Sequence, residues 1–343
     1  MFDGWHEISL FAITLITLLL QVYVIYMITF QTPNNMRDYL YFLLLLTVID
    51  LLFTIVVGIY LQPSPLPFLA VQAKGVCSYF SEFACVVGAS ASLALGACTL
   101  MIQIYCLMYR CAVLFRTKRI YRLFVSIPAK VFFFTFGLSV AFGFGYFFYR
   151  SDYRRNEVPM HPTVEMEYKN LTAILKPTDA LLFIDIYDNY VMAYVATLGS
   201  CLFLSEFVSL LMVIGILSFL RKNAALFSRV TYRLHVQFTI LLAVQLTSPF
   251  VLIIIPAAIY VISLIVHHND LNELYVKAGF NILTLYGFIN GGCTLIFVGP
   301  YRKRAKQQLI DPILKLLGAQ RKSYVVPQDF SAFDDPHCRT VKN

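Results

Sequence analysis

Seven stretches of the chain stay apolar long enough to cross a bilayer, and polar segments separate them. They run from Ile8 to Phe30, Tyr39 to Leu61, Phe83 to Tyr109, Val131 to Tyr149, Tyr190 to Leu220, Leu234 to Val266 and Ala278 to Val298. Crossing ~30 Å of hydrocarbon at a rise of ~1.5 Å per residue takes ~20 largely apolar residues. The runs are continuous and do not alternate, so they predict helices and exclude the strands of a membrane barrel. The expected fold is an all-α membrane protein, a seven-transmembrane helix bundle occupying residues 1–304. After Pro300, the basic run Tyr301 to Lys306 precedes Leu309, Ile310, Ile313, Leu314 and Leu317, whose spacing gives one apolar helical face. That pattern predicts an interfacial amphipathic helix over 305–318, with Pro312 at a bend, and a flexible tail over 319–343.

Composition agrees with lipid as the main solvent. Of 343 residues, 59% are hydrophobic and only 13% charged, about half the charged share of ordinary soluble domains. A soluble enzyme with one anchor, a disordered regulator and a secreted disulfide scaffold are excluded. The net charge of +8 does not point to nucleic acid, because the basic residues flank the spans. Placing the N-terminus outside puts 20 of the 27 on the cytosolic side: Arg37, six from Arg110 to Lys130, four from Arg221 to Arg233, and nine in the tail. The other seven are Lys74, Arg150, Arg154, Arg155, Lys169, Lys176 and Lys277. The positive-inside rule therefore sets the N-terminus outside and the C-terminus in the cytosol. In that topology the sequon Asn170-Leu171-Thr172 faces the glycosylating side, making Asn170 a candidate glycan acceptor. The first span reads as an uncleaved signal anchor. Basic loops would also meet anionic lipid headgroups.

Within the spans, a few residues break the apolar pattern. Asp50 and Glu206 are intramembrane acids, expensive in lipid and expected to face the bundle interior. Each reads either as an ion or proton site or as a hydrogen-bonded tie between helices, and Asn281 and Asn290 are candidate partners. Pro249 and Pro256 interrupt span six, as a fixed kink or as a moving hinge. Ala84, Gly88, Ser92 and Gly96 recur every four positions in span three and form one small-residue row for close helix packing. Cys77 is the one cysteine near the outer surface, so no partner for it is expected there, and no disulfide can tie span three to the long outer segment before span five.

Reacting groups are missing. The chain has no HExxH, GxSxG or GxGD sequence and no metal-ligand spacing among its histidines, and span seven holds no lysine, Lys277 lying at its outer edge. No enzyme activity and no cofactor are expected, and a covalent retinal site is disfavoured.

Three local features resemble a known family. Asp50-Leu51-Leu52 leads into a proline-rich loop; the stretch from Phe227 to Pro256 carries Gln245, Pro249 and Pro256; and Gly299-Pro300-Tyr301-Arg302 closes span seven. Together they resemble the nematode seven-helix chemosensory serpentine receptors of the Str superfamily, class H most of all, over about Tyr39 to Arg304. The resemblance implies a plasma-membrane receptor of sensory neurons, at their cilia, that detects a small molecule and couples to a heterotrimeric G protein. Two rhodopsin-like switches are absent: Tyr109-Arg110 has no acidic neighbour, and span seven has no NPxxY sequence.

On that reading the cytosolic readout uses Tyr109, Arg110, Arg221, Lys222, Arg229, Arg233, Tyr301, Arg302 and Arg304. The ligand pocket is expected in the outer half between spans three, five, six and seven, with Glu82, Ser90, Tyr194, Thr197, Tyr260 and Asn281 as lining residues. For each of these six, helix packing or a place in the interfacial aromatic belt is the competing role. The alternative function is a transporter or ligand-gated channel using Asp50 and Glu206, against which stands the missing inverted repeat. A membrane scaffold is the third reading.

Overall fold

A computed structural model of the chain describes residues 3–32, 37–65, 70–114, 126–154, 165, 169, 180–183, 188–256 and 272–311. The chain divides into two compact units, Met1–Arg302 and Lys303–Asn343. In the first, the long helices are α1 (Asp3–Gln31), α2 (Arg37–Ile55), α3 (Glu82–Leu114), α4 (Ile127–Arg154), α5 (Asn189–Lys222), α6 (Arg229–Pro249) and α7 (Asn272–Phe297). Each carries a segment long and apolar enough to span a membrane. The segments lie within a few residues of those read from the sequence, except that α3 runs on past Tyr109 to Leu114, α5 runs on to Lys222, and the outer part of span six, residues 257–266, lies outside the described residues.

The bundle is apolar outside and encloses its polar side chains among apolar ones. In every span less than half of the most apolar stretch is buried. Phe203, Phe207, Leu19 and Phe142 point outward, while Thr17, Gln21, Gln103, Gln245, Asn290 and Thr294 are enclosed. This inversion of the soluble pattern is what a lipid solvent selects, since lipid satisfies no polar side chain. Helix α3 is central and packs on α2, α4, α5 and α6, while α1 lies against α2 and α7. Two apolar clusters fill the inner half. One joins Val24, Met27 and Ile28 with Leu43, Phe238, Leu241, Leu295 and Tyr301, and the other joins Leu107 and Leu114 with Ile216, Leu220, Leu242 and Leu246.

Local chemistry sets several helix ends. The Asp188 carboxylate accepts from the Tyr190 amide at 2.9 Å and caps α5, whose last turn carries Arg221 and Lys222 where the helix dipole favours cations. The Ser228 hydroxyl accepts from the Thr231 amide at 3.2 Å and caps α6. Pro249 closes α6, and the chain passes into a π-helical stretch, Phe250–Ile254. Proline removes one amide from the ladder, and the wider turn re-pairs the freed carbonyls.

The small-residue row of α3 is used at one end only. The Tyr60 hydroxyl donates to the Ala84 carbonyl at 3.3 Å, and a Cβ on Gly88 would stand 2.7 Å from the Tyr60 ring, whereas one on Gly96 would meet nothing within 4 Å.

An antiparallel sheet covers the end of the bundle that the sequence places outside. Strand β1 (Pro63–Pro65) pairs with β2 (Ala70–Ala73), and β2 pairs with β3 (Ala180–Phe183) from the long segment between α4 and α5. Both prolines of β1 lie on an edge strand, where their missing amides cost no ladder bond. Buried Leu61, Ala73, Cys77, Cys85, Val86, Ala89 and Leu182 form the core beneath it. The expectation that Cys77 stands alone is corrected here. Helix α3 begins at Glu82, so Cys85 lies in its first turns, and the turn Val76–Tyr79 brings Cys77 back beside it with the two Sγ atoms 2.6 Å apart. Burial pushes the Cys77 thiol above its ordinary range.

In the second unit, the helix α8 (Gly299–Ala305), begun in the first, continues as a π-helical turn, Lys306–Ile310. The rest of the expected interfacial helix and the whole tail lie outside the described residues.

Candidate functional site

Polar residues recur along the inner faces of three helices at helical spacing: Thr99, Gln103 and Arg110 on α3, His235, Thr239, Gln245 and Ser248 on α6, and Tyr286, Asn290 and Thr294 on α7. These faces converge with Asp50 of α2. The Asp50 carboxylate accepts from Asn290 Nδ2 at 3.0 Å and from the Thr99 hydroxyl at 3.4 Å. The Ser248 hydroxyl donates to Asn290 Oδ1 at 3.4 Å, and Gln245 Nε2 donates to the Thr294 hydroxyl at 3.3 Å. Fully enclosed Gln103 donates both to the Gln245 carbonyl and to the Tyr286 hydroxyl, each at 3.3 Å. Four helices are thus joined by one buried polar network. In a low dielectric such a network specifies a single arrangement only when its members find each other, so a rearrangement must exchange several bonds together.

Below this network the chain holds Arg110 in an unusual place for a cation. It is 2% exposed. Its Nη1 donates to the Thr239 hydroxyl at 2.9 Å and to the His235 carbonyl at 3.2 Å, and its guanidinium carbon lies 5.1 Å from the centre of the Phe238 ring. All three contacts belong to α6. The arrangement is a clamp between α3 and α6, built from two charge-assisted hydrogen bonds and a cation–π contact. Tyr109 is also buried and packs on Phe42, with ring centroids 5.0 Å apart. Tyr301 is fully enclosed, its hydroxyl 2.6 Å from the Thr32 hydroxyl of the α1 end. Arg221, Lys222, Arg233, Arg302 and Arg304 are exposed, and Arg229 occupies the first position of α6. The basic residues nominated for cytosolic readout therefore divide into one enclosed clamp and several open cations.

The nominated ligand residues are scattered. Tyr194 donates from its hydroxyl to the Phe144 carbonyl of α4 at 3.2 Å, and Asn281 Nδ2 donates to the Ser9 hydroxyl of α1 at 3.1 Å. Ser90 and Thr197 turn their hydroxyls back to carbonyls of their own helices, Val86 and Ala193. Glu82 opens α3, and Tyr260, like Asn170, lies outside the described residues. None of the five described residues lines either of two cavities formed among the described residues. The larger cavity, of about 440 Å³, lies between α2, α3 and α4 and is walled by Tyr41, Phe42, Met101, Tyr105 and Phe133. The smaller, of about 200 Å³, lies between α5 and α6 and contains Glu206.

Sequence reasoning flagged Asp50, Arg110, Glu206 and Asn290 but passed over Thr99, Gln103, Thr239 and Tyr286. Their signal was present: Thr99, Gln103 and Arg110 fall on one face of an otherwise apolar helix, as do Tyr286, Asn290 and Thr294.

Seven membrane-spanning helices around a central third helix, with a buried polar core reaching toward one end, define a serpentine receptor architecture. The chain matches the family described as serpentine type 7TM GPCR chemoreceptor Srh over residues 4–310, and it belongs to that family. It is a multi-pass membrane protein of a chemoreceptor family, not of an enzyme family. No curated protein matches it.

Proposed function

We propose that the chain is a chemosensory receptor of the plasma membrane that detects a small molecule from outside and activates a heterotrimeric G protein in the cytosol. Its N-terminus is outside, and by family it serves the cilia of sensory neurons. The single observation that carries the mechanism is the Arg110 clamp on α6, combined with the break in that helix after Pro249. With Arg110 enclosed, the described arrangement offers a G protein only the outlying cations. Opening of α6 about its proline frees the guanidinium and makes Arg110, Tyr109, Arg221, Lys222, Arg229, Arg233, Tyr301, Arg302 and Arg304 the contact set. An agonist drives this step by binding the open arrangement more tightly than the closed one. Glu82, Ser90, Tyr194, Thr197, Tyr260 and Asn281 are proposed to line a ligand pocket in the outer half of the bundle, between spans three, five, six and seven.

The intramembrane acids do not require a transport reading. Asp50 is bonded to side chains of α3 and α7, which supports a tie within the receptor core.

The test is heterologous expression with a G-protein nucleotide-exchange readout across volatile and soluble small molecules. Concentration-dependent exchange by at least one compound is expected. Silence across the panel, at verified surface density and with several G-protein subtypes, would count against the proposal.

A further inference from the structure

Glu206 stands near the middle of α5 and is 7% exposed. Its Oε1 is enclosed and has no hydrogen-bond partner among the described residues. An acid in such a place is costly in lipid, and natural bundles give it a partner or a function. The wall beside it is the α5–α6 cavity of about 200 Å³, lined among others by Phe203, Phe207, Leu246, Thr247 and Phe250. The Thr247 hydroxyl is committed to the Ala243 carbonyl at 2.8 Å, and among the lining residues there is no basic side chain. The Phe203 and Phe250 rings stand 6.5 Å apart and inclined at 48°. What the cavity lacks is therefore a donor carrying positive charge, and its aromatic walls suit the rest of a small organic cation.

We propose that this cavity is a binding site for a small primary amine with an aromatic or alkyl body, its ammonium held by Glu206. The inference rests on the receptor reading for its consequence in signalling, but not for binding itself. The cavity is smaller than the ~300–1,000 Å³ of drug-sized sites, so the ligand is small. Its outer wall is lipid-facing, with Phe203 58% exposed, so the amine reaches it sideways through the bilayer. Phe250 is the first residue after Pro249, where α6 gives way to the π-helical stretch. An amine lodged there sits against the break in α6, and its occupancy is read out through the same helix that carries the Arg110 clamp.

The experiment uses the full chain purified into lipid nanodiscs and measures thermal unfolding with 2-phenylethylamine and hexylamine against their neutral counterparts, 2-phenylethanol and 1-hexanol. A saturable rise in unfolding temperature with an amine and none with its alcohol is expected. Glu206→Gln should weaken the apparent affinity about tenfold or more, the least expected for losing a charge-assisted hydrogen bond. Thr247→Phe, which keeps the acid but fills the cavity, should abolish the shift and decides the matter if Glu206→Gln fails to fold. Equal shifts with amine and alcohol, no shift with either amine, or amine shifts unchanged by the variants would overturn the site. Amine binding without any G-protein exchange would leave the site standing and count against the receptor reading. Exchange driven by neutral compounds alone, with amines not bound, would do the reverse.

Discussion

Replacing Thr239 with valine keeps the volume of the side chain but removes the oxygen that accepts from Arg110 Nη1 at 2.9 Å. Arg110 retains the His235 carbonyl at 3.2 Å and the Phe238 ring at 5.1 Å, so the clamp is weakened and not dismantled. A hydrogen bond to a charged group contributes ~1.5–3 kcal/mol, and here it exists only while α3 and α6 are together. Its loss shifts the closed-to-open ratio by ~10- to 150-fold. A receptor open ~1% of the time without ligand would then be open between ~10% and ~60% of the time. The assay is ligand-free nucleotide exchange on the G protein, normalised to receptor at the cell surface. Thr239→Val should raise basal exchange about tenfold or more, and Thr239→Ser, which preserves the acceptor, should remain near wild type. Unchanged basal exchange in Thr239→Val at equal surface density would refute the idea that this bond distinguishes the two arrangements.

Other outcomes follow from the same structure. Reversing the charges of the exposed Arg302 and Arg304 together should abolish exchange while surface expression and ligand binding persist; full signalling would remove the coupling assignment, and loss of surface protein would show a folding role instead. An epitope at the N-terminus should label intact cells and one at the C-terminus only permeabilised cells, and Asn170→Gln should remove any glycosidase-sensitive mobility shift. Gly88→Ala should cost ~1–3 kcal/mol, because its Cβ would stand 2.7 Å from the Tyr60 ring, whereas Gly96→Ala on the same row should be neutral or stabilising by up to ~1 kcal/mol. Thermal denaturation of the two variants in detergent checks the contrast.

The spans were legible because lipid imposes an apolar run of a set length, and a run is a local property. Where the chain departs from that rule, legibility fails for identifiable reasons. Arg110 looks like the end of an apolar run, yet α3 continues to Leu114 because α6 supplies an acceptor and an aromatic face for the cation inside the bundle. The acids could be flagged from their cost alone, but their fates diverge through partners far along the chain. Asp50 meets Asn290, 240 positions away, while Glu206 stands among mostly apolar side chains and Thr247, whose hydroxyl is spent on the Ala243 carbonyl. The sheet left almost no trace, since strands of three or four residues with two prolines carry no periodicity and hold together through the backbone. Cys77 and Cys85 were separated on paper by a boundary placed between loop and span, and one turn of chain erases that boundary.

The lid made by β1, β2 and β3 joins the loop between α2 and α3 to the segment before α5 without a covalent bond. Its register is written in amides and carbonyls, which every residue but proline supplies alike. The ladder sets the shape of the lid, and its side chains set which face is buried, with Ala73 and Leu182 lying in the core beneath it.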